Sequence, residues 1–199
     1  VGPSLINVAS SRSFRLKRHR RDDGVDLNQA VGLIGTAGEL RQALVEARRG
    51  LVPTTPVLSL SPMTNWDPSM APDGQGVAYI YLPVFPVDVN AGWDTTKAPA
   101  AQAIVARAAE YYDGFDGELG RWFETCPDRE ARTGLTKGCV THVDFGAQRT
   151  GAKRPAFGLG GPEPLVPGFF LGGAGIHPGG GVSGGPGRLV SKRVLDYLA

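Results

Sequence analysis

Two spacings of apolar residues organise the chain. Helical spacing first appears between Thr36 and Gly50, where Leu40, Ala43, Leu44, Ala47 and Leu51 form one stripe. Thr36 and Glu39 stand at capping-box distance, and Gly50 lies where a helix stops. A second stripe runs through Ala101, Ile104, Val105, Ala108, Tyr111 and Tyr112, predicting a helix over Ala98 to Tyr112 with Pro99 in its first turn. Strand spacing marks Leu5 to Ser10, Pro56 to Ser61 and Val77 to Phe85. The last of these is apolar on both faces, with Val77, Tyr79 and Tyr81 on one and Ala78, Ile80 and Leu82 on the other. It is therefore expected inside a sheet. Its tyrosine face either lines an apolar cavity or is covered by helices. A short helix over Glu118 to Glu124, a new turn at Thr125 to Glu130 and a strand over Gly138 to Val143 complete the central region. Antiparallel strands with two or three covering helices define an α+β fold.

Composition narrows the function classes. The 199 residues are 41% apolar and 20% charged with a net charge of +2, which suits a globular chain and offers no global field for nucleic acid. The run Arg15 to Arg21 could meet phosphate or acidic lipid, but Asp22, Asp23 and Asp26 offset it and no aromatic residue interleaves. A solvated edge or turn is the plainer reading. Cys126 and Cys139 form no CxxC, so neither zinc nor a disulfide framework is indicated, and two reduced thiols in a cytoplasmic protein are expected. No apolar run reaches the roughly 20 residues of a membrane span.

The 29 glycines and 16 prolines are concentrated toward the end of the chain. Phe169 to Leu171 reads as a short strand, a glycine-rich loop follows, and Pro186 to Leu198 reads as a helix with Val190, Val194, Tyr197 and Leu198 on one face. Glycines before a helix start let a ligand approach backbone N–H groups that carry partial positive charge. Gly179, Gly181 and Gly184 match GxGxxG, yet this loop opens the last helix and no ribose-binding acid follows, so it is not a complete dinucleotide fingerprint. His177 has no sequence-adjacent carboxylate and no companions at metal-ligand spacing. Loop shaping or cofactor contact is preferred for it over catalysis.

The run Phe170 to Gly187 resembles the C-terminal signature of phytoene desaturase-like FAD oxidoreductases, with Gly172 and Ile176 in place of the usual cysteine and threonine. Pro62 with Asp67 to Gly74, Gly92-Trp-Asp94 and Thr125-Cys-Pro-Asp128 resemble further landmarks of that family in the same order. The resemblance implies a flavoprotein that adds or removes hydrogen across carbon–carbon bonds of an apolar, isoprenoid-type substrate. It implies a substrate-domain portion over 1–160 and a C-terminal segment of a split FAD-binding domain over 161–199. Carried over residue by residue, Gly173, Ala174, Gly175, His177, Gly179, Gly180, Gly181 and Val182 are the FAD-contact candidates, and no catalytic residue is assigned. An N-terminal FAD-binding half is expected as the missing partner, since no strand–GxGxxG–helix occurs near Val1. A cytoplasmic setting with peripheral membrane association would suit such a substrate. The alternative is a stand-alone apolar-ligand binding module without activity.

Overall fold

The computed structural model describes residues 1–17, 22–160 and 166–199. It confirms an α+β architecture with a mostly antiparallel sheet and, among the described residues, four α-helices. Two compact units are present, Val1–Thr133 and Gly134–Ala199. The sequence had suggested a division near residue 160. Most of the basic run, residues 18–21, lies outside the described residues.

In the first unit the strands are β1 (Gly2–Ser10), β2 (Arg15–Leu16), β3 (Gly32–Ile34), β4 (Leu58–Pro62), β5 (Gly76–Phe85), β6 (Tyr112–Asp113) and β7 (Glu118–Glu124). Five of them form one antiparallel sheet in the order β3-β4-β5-β1-β7, while β2 and β6 pair separately. As its doubly apolar pattern predicts, β5 is the central strand. Its Ala78, Ile80 and Leu82 are buried with Ile6, Val8, Leu58 and Leu60 of the neighbouring strands. This core face is covered by α2 (Trp93–Ala109), which contributes Ala101, Ile104, Val105 and Ala108. An ion pair of 3.0 Å between Glu39 and Arg107 ties the preceding helix, α1 (Ala37–Arg48), to α2.

The N-terminus of α1 is the one expected. Thr36 Oγ1 accepts from the Glu39 N–H at 3.2 Å, and the Glu39 carboxylate accepts from the Thr36 N–H at 2.6 Å. Its stripe is less buried than its spacing suggests, since only Ala43 and Ala47 are enclosed and Leu40 is exposed. Thr36→Ala removes one half of the box, and a loss of about 1 kcal/mol in urea denaturation is expected.

Helix α2 begins a turn earlier than predicted, which places Pro99 inside it. Trp93 anchors the early start. Its ring stacks on Phe85 at 6.1 Å and meets Phe123 edge-on at 6.2 Å, and its Nε1 donates to the Val87 carbonyl at 2.9 Å. The Thr95 and Thr96 hydroxyls donate to the carbonyls of Ala91 and Gly92. These contacts hold the first turn although Pro99 cannot donate a backbone bond.

The predicted helix over Glu118 to Glu124 is instead strand β7. It pairs along β1 with Leu5 opposite Glu124 and Asn7 opposite Trp122. The turn after it is the start of α3 (Cys126–Thr133), where Thr125 and Asp128 bond reciprocally. Two further predicted strands are absent. Gly138 to Val143 is a succession of turns with a left-handed φ of 60° at His142, preceded by one of 53° at Lys137, and Phe169 to Leu171 forms no strand pairing among the described residues. The last helix, α4 (Gly185–Leu198), lies where predicted. Among the described residues no helix is long and apolar enough to cross a membrane.

Candidate functional site

The second unit has little apolar core, and a single arginine organises it. Arg154 is 1% exposed. Its Nη1 donates to the carbonyls of Asp144 (2.9 Å) and Arg149 (3.3 Å), and its Nη2 to those of Thr141 (2.9 Å), Val143 (2.7 Å) and Ala174 (2.8 Å). The guanidinium carbon lies 4.5 Å from the centre of the Phe145 ring. Among the described residues no carboxylate pairs with it; carbonyl dipoles and the aromatic face carry the charge. This arrangement explains why Thr141 to Asp144 cannot be a strand. Three of its carbonyls turn inward to one side chain instead of outward to a neighbour.

The bond to Ala174 fixes one end of the glycine-rich loop. Gly173 to Gly175 form a single 3-10 turn, and the chain then runs through His177 to the start of α4. The candidate residues fall into two groups. Gly179 and Gly180 face their own chain: a Cβ on Gly179, which has φ +102°, would lie 2.6 Å from the Phe145 ring, and one on Gly180 would lie 2.9 Å from Thr141. Their lack of side chains is a packing requirement. Gly173 and Gly181 are the reverse case, since a Cβ on either would meet nothing within 4 Å. Val182 is fully exposed at φ 57°. Gly175 makes only an ordinary approach to His142. His177 is exposed and, among the described residues, has no hydrogen-bond partner that would orient it as a base.

No acceptor is present among the described residues for the N–H groups of Gly179 to Val182. The helix start itself offers less than the sequence suggested. The Gly185 N–H is taken by Ser183 Oγ at 3.2 Å, Pro186 has none, and the Arg188 N–H is already bonded to the Gly184 carbonyl at 3.0 Å. Gly187 alone is left with an open N–H and no neighbour over its Cβ position, so it joins the rim although the motif did not single it out. Such a rim can receive a flat, electron-rich edge with carbonyl or ring-nitrogen acceptors. The residues present thus fit the pyrimidine side of a flavin. Among the described residues no cluster of His, Cys, Asp or Glu could hold a metal ion.

The chain is similar to proteins named for an oxidoreductase domain. The chain is 32% identical over 163 residues to pyridine nucleotide-disulfide oxidoreductase domain-containing protein 2 of Rattus norvegicus, and 31% identical over 163 residues to the protein of that name in Mus musculus. Each match takes in 80% of this chain and 28% of the relative, so the chain spans little more than a quarter of the length of these proteins. No protein-family model matches the chain.

Proposed function

We propose that this chain is the C-terminal part of an FAD-dependent dehydrogenase or desaturase of the phytoene desaturase-like kind, acting on carbon–carbon bonds of an apolar, isoprenoid-type substrate. One observation supports the reading: in the loop that bears the signature run and the first turn of α4, the backbone N–H groups of Gly181, Val182 and Gly187 have no hydrogen-bond acceptor among the described residues. The oxidoreductase relatives point the same way. When bound, the flavin supplies the hydride-accepting chemistry. The residues of this chain would bind and orient it. The N–H groups of Gly181, Val182 and Gly187 would donate to its electron-rich edge, and this end of α4 would favour negative charge there. Gly173, Ala174 and Gly175 would flank it, with Ala174 held by Arg154. Gly179 and Gly180 would keep the loop tight against Phe145 and Thr141, and His177 would shape the turn before Pro178. The remaining wall would come from an N-terminal FAD-binding half. A cytoplasmic setting, with peripheral contact to the membrane that supplies an apolar substrate, completes the proposal.

The test begins with the reading frame, which should extend upstream of Val1 with a strand, GxGxxG and helix. Its full product should show the two-banded visible absorbance of bound flavin. In that product Gly187→Val adds a side chain where the structure has open space and an ordinary φ. The expected result is unchanged melting and at least about a fivefold loss of flavin affinity, because a donor is screened. A colourless full-length product, or a valine variant that retains flavin normally, would overturn the assignment.

A further inference from the structure

Among the described residues three non-glycine positions have a left-handed φ: Lys137 at 53°, His142 at 60° and Val182 at 57°. Histidine enters this region more readily than most residues, whereas a β-branched side chain does so only under strain. Val182 therefore carries the largest backbone penalty of the three. Its surroundings show that the loop has cheaper choices. Gly181 at φ 114° and Gly184 at φ 69° also have positive φ, and glycine meets no penalty there. At 182 the chain keeps a side chain where the backbone alone would favour none.

No packing within the chain accounts for that side chain. Val182 is 105% exposed, the highest value among the exposed large apolar residues. A Cβ on the neighbouring Gly181 would likewise meet nothing within 4 Å. The valine thus destabilises the free protein twice, through its backbone and through apolar surface left in water. Strained residues of this kind persist at ligand clamps, where the bound molecule provides the contact that the protein lacks.

The neighbouring polar groups indicate what kind of molecule that is. The N–H groups of Gly181 and Val182 have no acceptor among the described residues, so unused donors and an exposed isopropyl group occur together. A phosphate would take the donors and leave the isopropyl group in water. A hydrocarbon chain would do the reverse. A rigid ring system with acceptors along one edge and an apolar face satisfies both.

We infer that Val182 packs its side chain on the face of the ring system bound at this loop, and that this contact offsets the cost of the strained backbone. Naming that ring system a flavin rests on the oxidoreductase reading above. The consequence is a built-in opposition: a substitution at 182 that relaxes the backbone should stabilise the free protein and loosen its hold on the ligand.

Two variants separate backbone from side chain. Val182→Asn relieves the strain, since asparagine tolerates this region, and gives up the apolar contact. Val182→Ile keeps both the strain and a branched apolar side chain. Melting of the ligand-free 199-residue protein, followed by circular dichroism, should rise by about 3 °C in the asparagine variant and stay unchanged in the isoleucine variant. FAD titrated into the flavin-stripped full-length product, followed by its fluorescence, should bind at least about fivefold more weakly to the asparagine variant and within about twofold to the isoleucine variant. An asparagine variant that melts no higher, or that binds FAD as tightly as the unaltered protein, would overturn the inference while leaving the flavin reading in place. If the unaltered full-length product binds no FAD, the oxidoreductase reading falls and the flavin contact falls with it.

Discussion

Arg154→Met is expected to unfold the second unit while leaving the first intact. The side chain is the common donor to five carbonyls from three stretches of chain. Removing it takes the donor from the Thr141 and Ala174 carbonyls and leaves that of Val143 with the Thr141 hydroxyl alone, at a cost of about 2–4 kcal/mol. Lysine should rescue little, because a single ammonium cannot reach acceptors spread over both edges of a planar guanidinium. Limited proteolysis distinguishes the outcome. Cleavage should accelerate throughout 134–199, whereas Trp93, packed between Phe85 and Phe123, should keep its near-ultraviolet dichroism. Unaltered protease resistance in that region would show that the glycine-rich loop is held by something other than this side chain.

The second large effect is expected at Glu124. Its replacement by alanine takes the carboxylate away from Arg129, which is 4% exposed beside the sheet. Arg129 also donates to the Pro3 carbonyl at 2.9 Å, so the loss reaches β1 as well as α3. Breaking a buried pair from one side costs about 3–5 kcal/mol, most of it the penalty of the orphaned ion. Replacing both partners, Glu124→Met with Arg129→Met, should recover more than half of that loss, because two apolar side chains of similar volume demand no solvation. Urea denaturation followed by tryptophan emission measures both. A double variant less stable than Glu124→Ala would mean that the pair contributes net stability.

These two residues also mark where sequence reading reaches its limit. The α1 cap and the buried alternation of Ala78, Ile80 and Leu82 were legible because neighbours along the chain determine them. The segment Glu118 to Glu124 was not. Its charges at 118, 121 and 124 copy the surface of a helix, yet pairing with β1, far away in sequence, makes it a strand. The early start of α2 was hidden for a similar reason, since Trp93 finds its partners on β5 and β7. Arg154 left no periodic signal, being one basic residue before a proline in a stretch without an apolar pattern. At the candidate site the motif located the loop but could not sort it. Only geometry separates Gly179 and Gly180, which pack against their own chain, from Gly173, Gly181 and Gly187, which lie open. The tyrosine face of the sheet was half visible, in that Tyr79 and Tyr81 were seen to share a side. Ser59, Ser61 and Asn7 join them only through the register.

The strand order has a consequence for how the molecule comes into being. Of the five strands of this sheet β1 leaves the ribosome first, yet both of its neighbours come later in the chain: β5 pairs Phe85 with Gly2, and β7 pairs Glu124 with Leu5. Until β5 has been made the nascent chain therefore carries β1 with both edges bare, and one edge stays bare until β7 follows, while β3, β4 and β5 can zip together as a local meander. Closure must wait for ends that are distant along the polymer to meet, the kind of search that makes folding slow. During that interval the exposed strand is the segment a chaperone should recognise. Ribosome-stalled chains ending before and after residue 124 should differ sharply in their protection of β1.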